Sequence, residues 1–422
     1  MARFFYNLLI NFFYIPFTLI ILFRKILNKE HNIKYKEKFL SFGVNRPDGF
    51  LFWFHASSLG ELNSIIPIID FYLKKNQNYK FLITTITLSS YNEFKKKYGD
   101  NKRIFHQFLP YDMNFLIKSF FNKWKPNIIS FVDSEIWPNF IFKIKKEKIP
   151  LILINARLTK KTFKRWKFLK KFASEIFSCF SSFIVSNKET YEYLRYFNAK
   201  NVLYFGNIKF CSSNIEKNKN SDHQFNKVIN KNLWCALSIH PGEEVFCGAV
   251  QKIIKNKNKN SVAVIIPRHV HKVKKIYSSL IDMGFNVQIK NEDDEIEGTS
   301  EIVIVNYYGA TFKYLEKIKN VFVGKSIIKK LKNDGGQNPI DAAKMGCNIF
   351  YGPYVYNFQE IYNYLEDEKI ADKVNKPGIL AEKILRNFDL KSQNKILTSG
   401  KIEEYSKTIF KNVINEYEKF LK

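Results

Sequence analysis

Short apolar runs alternate with longer amphipathic stretches along most of the chain. Such runs, bounded by polar or glycine-containing loops, are typical of buried parallel strands, and the stretches between them are typical of helices covering a sheet. Predicted strands lie at 50–54, 81–86, 103–108, 127–132, 151–154, 183–186 and 202–205, and then at 233–237, 262–266, 286–289, 301–305, 321–323 and 348–351. The pattern predicts an α/β fold with two domains in series and a deep cleft between them.

The stretch 50–70 organises the first of these domains. It begins as a strand, continues through the loop 55–60 and becomes a helix at Glu61. Ligands collect beyond the carboxyl ends of parallel strands, so this loop is expected to point into a ligand-binding cleft. Ser58 and Glu61 have the spacing of a capping box, and on this spacing alone a purely structural cap is the favoured interpretation. The competing interpretation is that Glu61 is a general base for a hydroxyl nucleophile.

Other polar residues follow strands of the first domain and should share the same sheet edge. They are Asp133 and Glu135, Asn155 and Arg157, and Asn207 and Lys209. Singly, each has an ordinary interpretation: the two carboxylates could complement a helix dipole, and Lys209 could be one lysine among many. Their joint placement predicts a polar site at this edge.

The segment GGQNPID (335–341) is the most informative part of the second domain. It predicts a glycine turn that leads into a helix, with Asn338 as N-cap, Pro339 first in the helix and Asp341 third. A helix N-terminus attracts anions, and Arg268, directly after another strand, is suited to bind a phosphate. A capped helix with nothing bound explains the segment equally well.

The run at 4–23 carries no charge and is just long enough to span a bilayer core. Basic residues follow it, and no signal-peptide cleavage site is evident, so we expect an uncleaved anchor at 1–30 with the body on the cytoplasmic side. Asn7, Asn11 and Pro16 weaken the span and keep open a helix lying in the membrane interface. The two domains are then expected at 31–210 and 211–422.

The chain has 422 residues, a formal net charge of +29 and five scattered cysteines. This charge favours anionic partners such as a membrane or phosphorylated ligands, although AT-rich codons would also raise the lysine count. No nucleic-acid-binding signature is present, so no nucleic-acid partner is expected. The cysteines form no C-x-x-C pair, which favours a reduced protein without structural zinc.

The motifs together resemble the 3-deoxy-D-manno-octulosonic acid (Kdo) transferases, the membrane-anchored glycosyltransferases of lipid A assembly. Over residues 4–365 the chain carries, in the family's order, YKEKF, HASSLGE, LPYDM, SEIWPN, INARL, GNIKF, SIHPGEE, IPRH, FVGKS, GGQNPID and GPYVYNFQEI. The resemblance implies a GT-B fold of two Rossmann-like domains facing across a cleft. It implies inverting, metal-independent transfer of Kdo from CMP-Kdo to a lipid A precursor at the inner membrane, with no cofactor.

The resemblance also implies a role for individual residues. Glu61 would be the general base, and Asp133 and Lys209 would stabilise the transition state. The residues implied in CMP binding are Pro267 and Arg268, Tyr308, Gly309 and Ala310, and Asn338, Pro339, Ile340 and Asp341. The ionised form of Glu61 is expected to be favoured, because a helix N-terminus lowers a carboxylate pKa.

The chain departs from the family pattern at several of these positions. Asp133 and Asp341 replace glutamates, Gln337 replaces a histidine, Ala310 replaces an acidic residue and Lys325 replaces a glycine. Two other functions fit the sequence less well: a GT-B glycosyltransferase with another nucleotide-sugar donor, and a non-catalytic basic module that binds a membrane surface.

Overall fold

The structure is a computed structural model that describes residues 2–39, 45–212, 222–389 and 394–421. The chain folds into two compact units. The first comprises Met1–Asn214 together with Ser406–Lys422, and the second comprises Ile215–Tyr405. The last seventeen residues therefore group with the N-terminal unit.

The first unit contains a parallel sheet of seven strands in the order β3-β2-β1-β4-β5-β6-β7. Its strands are β1 (Phe50–His55), β2 (Tyr79–Thr85), β3 (Ile104–Phe108), β4 (Ile128–Val132), β5 (Leu151–Ala156), β6 (Ser182–Val185) and β7 (Val202–Tyr204). The strand order reverses between β1 and β4, which is where doubly wound sheets bind their ligands. All seven strands predicted for this domain are confirmed within a few residues.

Helices cover this sheet because its central strands are apolar on both faces. They are α1 (Ala2–Phe12), α2 (Tyr14–Ile26), α3 (Leu59–Lys75), α4 (Leu88–Tyr98), α5 (Asn114–Trp124), α6 (Pro138–Lys146), α7 (Lys160–Phe168), α8 (Lys170–Phe177) and α9 (Lys188–Tyr196). On one face of the sheet, Trp53 is fully buried and contacts the rings of Phe120, Phe131 and Phe140. This aromatic cluster fixes α5 and α6 over β1 and β4.

The N-terminal apolar run forms two helices rather than one. α1 and α2 are bent by 44° at Phe13. Pro16 explains the break, because a proline has no amide hydrogen and its ring clashes with the carbonyl four residues earlier, which belongs to Phe12. In the part of the chain that the structure describes, no single helix is long and apolar enough to cross a membrane; α1 and α2 together reach that length and composition.

The second unit contains another parallel sheet of seven strands, in the order β10-β11-β9-β8-β12-β13-β14. Its strands are β8 (Asn232–Ile239), β9 (Ser261–Pro267), β10 (Val287–Lys290), β11 (Ile302–Val305), β12 (Asn320–Val323), β13 (Asn348–Tyr351) and β14 (Ala371–Lys373). Here the order reverses between β8 and β12. The sequence pattern predicted no strand after 348–351, but the short, polar edge strand β14 pairs with β13.

The remaining helices are α10 (Glu243–Lys257), α11 (Val273–Asp282), α12 (Thr311–Lys317), α13 (Ile340–Lys344), α14 (Gln359–Asp367), α15 (Pro377–Asp389) and α16 (Asn394–Glu418). Short 3₁₀ helices lie at Lys34–Lys38, Ile208–Cys211, Asp222–Val228, Val270–Lys272, Lys329–Leu331 and Tyr356–Phe358.

The end of α16 packs on the first sheet. The hydroxyl of Tyr417 lies 2.5 Å from Ser130 Oγ on β4, and Tyr72 on α3 donates to Glu418 Oε1 at 2.9 Å. Tyr417 is fully buried. These contacts explain why the C-terminal residues belong to the first unit.

Candidate active site

In the first unit, the loops after β1 and β4 bring the predicted polar residues to the point where the strand order reverses. β1 and β4 are paired neighbours, so the loops that leave their carboxyl ends lie side by side. Glu61 comes from the first loop, and Asp133 and Glu135 come from the second. Neither of these two carboxylates lies in the first turn of α6, which begins at Pro138, so the helix-dipole interpretation is wrong.

Ser58 and Glu61 form a reciprocal cap at the start of α3. Ser58 Oγ accepts a hydrogen bond from the Glu61 N–H at 3.3 Å and donates to Glu61 Oε1 at 2.8 Å. Glu61 Oε2 accepts from the Ser57 N–H at 2.8 Å. The capping interpretation is confirmed, although the carboxylate reaches the amide of Ser57 rather than that of Ser58. These bonds fix the position of the carboxylate.

The expectation that Glu61 has a lowered pKa is wrong. Burial of the half-buried side chain raises the pKa of Glu61, and the neighbouring charges of Asp133 and Glu135 raise it further. The hydrogen bonds from Ser58 and Ser57 act in the opposite direction but do not compensate. A carboxylate with a raised pKa is a stronger base, and proton transfer is most efficient when the pKa of the base approaches the working pH.

Asp133 and Lys209 are brought together, as their predicted placement at one edge of the sheet indicates. Lys209 Nζ lies 3.9 Å from Asp133 Oδ2. Asp133 has a φ of +63° at the end of β4, a conformation that aspartate tolerates better than most residues. Its backbone N–H donates to the Ile154 carbonyl at 2.9 Å, which ties the turn to β5.

Two asparagines position the loop that carries Lys209. Asn155 is buried, has a φ of +52° and accepts the Ile208 N–H on its Oδ1 at 3.0 Å. Asn207 Oδ1 accepts the Lys209 N–H at 3.0 Å and caps the 3₁₀ helix Ile208–Cys211. These residues therefore hold Lys209 in place without themselves carrying charge.

His55 was not predicted as part of this site. It is fully buried at the end of β1, with Nδ1 3.0 Å from Thr84 Oγ1 and Nε2 3.1 Å from Glu135 Oε2. Trp137 also donates to Glu135 Oε2, at 2.7 Å. Although burial alone would raise it, these hydrogen bonds lower the pKa of Glu135. Glu135 is therefore a fixed negative charge near Glu61. The sequence did contain a signal for His55, because a histidine at the end of an otherwise apolar strand lies at the sheet edge where the site residues were expected.

In the second unit, Glu243 joins the loops after β8 and β12. Its carboxylate is fully buried and accepts four backbone N–H groups, from His240 at 2.9 Å and from Lys325, Ser326 and Ile327 at 2.6, 2.9 and 3.2 Å. Glu243 was not among the site residues predicted from the sequence. A side chain at Gly324 would lie 2.5 Å from Ile239 Cα, so only glycine allows the loops to approach this closely.

Several cationic and imidazole groups meet at the same edge. Arg268 follows β9, is exposed and donates its backbone N–H to the Ile239 carbonyl at 3.0 Å. Gln337 Nε2 lies 3.2 Å from His240 Nε2, so the imidazole nitrogen accepts and the ring is neutral. Burial lowers the pKa of His240 to about 4, and the charges of Lys325 and Arg268 contribute. Lys325 Nζ pairs with Asp334 Oδ2 at 3.0 Å, so the positive charge that this edge offers to an anion comes from Arg268.

The GGQNPID segment begins its helix slightly later than predicted. α13 starts at Ile340 and Pro339 occupies the cap position, yet Asn338 Oδ1 still accepts the Ile340 N–H at 3.1 Å, as a capping oxygen does. Burial raises the pKa of Asp341, with a smaller opposing effect from Lys344. A side chain at Gly335 would lie 2.1 Å from the Tyr354 carbonyl oxygen, which explains the need for glycine there.

The three segments implied in CMP binding all follow strands of one sheet. Pro267 ends β9 and Arg268 follows it, Tyr308–Ala310 follow β11, and Asn338–Asp341 follow β12. Tyr308 is exposed, Gly309 has a φ of +87°, and Ala310 is buried as the cap of α12. The three segments therefore lie at the same edge of the sheet. Among the residues that the structure describes, no hydrogen bond joins one of these segments to another. In the same described residues, no group of three or more His, Cys, Asp or Glu is placed to hold a metal ion.

Comparison with known proteins identifies related sequences over most of the chain. Residues 31–212 match the family model described as 3-deoxy-D-manno-octulosonic-acid transferase. The chain is 30% identical to the 3-deoxy-D-manno-octulosonic acid transferase of Rickettsia bellii over 377 residues, which are 89% of this chain and 88% of that protein. It is 26% identical to the transferase of the same name from Aquifex aeolicus over 370 residues, 88% of this chain and 93% of that protein.

Solved structures show the same fold at much lower sequence identity. A glycosyltransferase from Rickettsia africae and a UDP-N-acetylglucosamine 2-epimerase each share 10% identity and a TM-score of 0.58, and each covers 89% of this chain. The matches extend over 100% and 98% of those chains. Likenesses of this kind establish the fold alone, which is the predicted GT-B type with two Rossmann-like domains.

Proposed function

Because the chain belongs to the 3-deoxy-D-manno-octulosonic acid transferase family and is a glycosyltransferase, we propose that it transfers Kdo from CMP-Kdo to a hydroxyl of a lipid A precursor. The observation that carries the proposal is the position of Glu61. Its carboxylate is held by Ser57 and Ser58 at the switch point of the first sheet, with a pKa raised by burial.

In the proposed reaction, Glu61 accepts the proton of the acceptor hydroxyl. The freed oxygen forms a bond to the anomeric carbon of Kdo, and the bond from that carbon to the CMP phosphate oxygen breaks. CMP leaves with the bonding electron pair. Attack on the face opposite the phosphate inverts the anomeric centre. No metal ion takes part in this scheme.

The second unit supplies groups suited to the leaving nucleotide. Arg268, directly after β9, would bind the phosphate and stabilise the negative charge that develops on it. Pro267, the segment Tyr308–Ala310 and the segment Asn338–Asp341 would hold the nucleoside. In the first unit, Lys209 would stabilise the Kdo carboxylate or the leaving phosphate, with Asp133 orienting its ammonium group.

We also propose that the enzyme works at the inner membrane, because its acceptor is a lipid. Its body is placed on the cytoplasmic side because basic residues follow the apolar run 4–23. The helix pair α1–α2 supports membrane attachment by its length and composition. A single crossing by residues 4–23 stays a prediction.

The test is a transfer assay with purified protein in detergent. The acceptor is a lipid A precursor, and the donors are CMP-Kdo, CMP-sialic acid and UDP-N-acetylglucosamine, each with and without EDTA. We expect product masses that increase by whole Kdo units with CMP-Kdo alone, unaffected by EDTA, and about 10³-fold slower turnover for Glu61→Gln. Transfer from another donor, or wild-type turnover by Glu61→Gln, would contradict the proposal.

A further inference from the structure

One face of the α1–α2 pair is apolar and exposed. On α1, Phe4, Leu8 and Phe12 recur at a spacing of four residues and are 68%, 58% and 73% exposed, and on α2 Phe23 is 61% exposed. Residues four apart lie on the same side of a helix, so they form a stripe. An exposed apolar stripe of this kind is typical of a membrane or protein contact.

The other face of the same helices is attached to the first unit by polar contacts. Tyr6 donates its hydroxyl to the buried carboxylate of Asp112 at 2.6 Å, and Asn139 Nδ2 donates to Asn7 Oδ1 at 2.7 Å. On α2, Tyr111 donates to the Phe17 carbonyl at 3.2 Å, and the two rings stack at 5.6 Å. Because these contacts hold α1 and α2 against the first unit along their length, the two helices lie beside that unit. A helix that crossed the bilayer would have to separate from the unit.

The junction of α7 and α8 exposes a second apolar point. Phe168 ends α7 and is 90% exposed, and Leu169 follows it at 46%. Six exposed basic residues surround the pair in sequence: Lys161, Lys164, Arg165, Lys167, Lys170 and Lys171. No acidic residue occurs between Arg157 and Ser174. An exposed aromatic ring among cationic side chains is suited to a bilayer interface with anionic head groups.

The α7–α8 junction is linked to α1 by packing beneath the surface. The buried ring of Phe172, four residues after Phe168 and on α8, lies 6.5 Å from the ring of Tyr6 on α1. It also lies 6.2 Å from Phe142, whose ring is covered by the Arg3 guanidinium at 4.4 Å. The helix after Phe168 therefore packs directly against α1.

We propose that α1, α2 and the α7–α8 junction form one surface that rests on an anionic membrane. In this arrangement α1 and α2 lie in the plane of the interface, and Phe168 inserts as a second contact. The inference rests on the proposed function in one respect, namely that the acceptor is a membrane lipid.

The first test compares vesicle binding of the full-length chain and its variants. Phe168→Ser is matched by Ile229→Ser, which removes a 76% exposed apolar side chain from the second unit. We expect Phe168→Ser to weaken sedimentation with phosphatidylglycerol-containing and neutral vesicles about tenfold, and Ile229→Ser to leave both unchanged. Equal binding by the two variants would overturn the second contact.

The charge requirement is tested with Lys161→Glu/Lys164→Glu, matched by Lys257→Glu/Lys259→Glu, which reverses two exposed lysines of the second unit and changes the net charge by the same amount. We expect the Lys161→Glu/Lys164→Glu variant to lose at least about fivefold in affinity for anionic vesicles, and the control to lose less. Equal losses would show that only net charge matters and would overturn the proposed basic surface. A dimer in vesicle-free buffer that Phe168→Ser dissociates, with vesicle binding unchanged, would identify a second copy as the occupant instead.

The orientation of α1 and α2 is tested by protease cleavage of epitope tags placed before Met1 and after Lys422. In inverted inner-membrane vesicles both tags should be cleaved, because both lie on the same side. Cleavage of the C-terminal tag alone would indicate a crossing helix and overturn the in-plane arrangement. Transfer to a detergent-dispersed acceptor is measured in parallel: Phe168→Ser should retain it, whereas failure of the proposed function would remove it from the wild type as well.

Discussion

Lys209 Nζ lies 3.9 Å from Asp133 Oδ2, although the two residues come from loops after different strands, β7 and β4. Both side chains are partly exposed, so the pair contributes little to folding, below about 1 kcal/mol. A large effect of removing Lys209 would therefore report on chemistry rather than on stability.

Lys209→Met is expected to lower kcat about 100-fold at saturating CMP-Kdo, because a cation placed near developing negative charge is lost. The control is Lys143→Met, which removes the Lys143–Glu147 pair of similar exposure on α6. Turnover and thermal unfolding are measured for both. If kcat of Lys209→Met matches that of the control, the assigned role is wrong.

Glu61→Gln should be no less stable than the wild type at pH 7.5 while losing transfer. Because the folded-state pKa of Glu61 is raised, its contribution to stability is complete below the unfolded pKa and is lost as pH rises through the folded pKa. The ionised side chain is thus a stability cost at neutral pH, as expected for a functional carboxylate. Urea unfolding at pH 7.5 checks this, and a marked loss of stability would indicate that Glu61 is mainly structural.

Ser58→Ala should shift the pH dependence of transfer. The hydroxyl of Ser58 lowers the pKa of Glu61, so its removal raises that pKa further and moves the acidic limb of the kcat profile to higher pH. Loss of the cap also destabilises the fold by about 1 kcal/mol. An unchanged acidic limb, measured under conditions where the variant remains folded, would argue against Glu61 as the titrating base.

Glu243→Gln should destabilise the second unit by about 3 kcal/mol. A carboxylate that accepts four backbone N–H groups is replaced by an amide whose NH₂ repels some of them. Its neighbour provides the comparison: Glu244 accepts the Gly242 N–H, and Glu244→Gln should cost about 1 kcal/mol. Similar unfolding midpoints for the two variants would contradict the loop-joining role of Glu243.

His240 should make the protein acid-sensitive. Its folded pKa is lowered to about 4 from 6.5, so its stabilising contribution is complete above pH 6.5 and is lost as pH falls towards 4. His240→Gln should flatten the decline of unfolding free energy over this range, and His271→Gln, an exposed histidine nearby, should not. Equal slopes for both variants between pH 7 and 4.5 would refute this.

The sequence alone determined the architecture and most of the edge residues. Apolar runs and their spacing are local properties, so they predicted thirteen strands, the capping pair Ser58–Glu61 and the placement of Asp133, Lys209 and Arg268 after strands. Periodicity specifies which side of an element is buried, and parallel pairing brings the strand ends to one edge.

The tertiary structure decided what depends on burial and on partners distant in sequence. The pKa of Glu61 is raised because folding removes it from water and sets Asp133 and Glu135 beside it, which no local rule on helix N-termini contains. Likewise, His55 meets Glu135 and Glu243 meets the amides of Lys325 and Ser326 only after the strands have paired. Electrostatic and hydrogen-bonding energies depend on distance in space, whereas a sequence pattern records only distance along the chain.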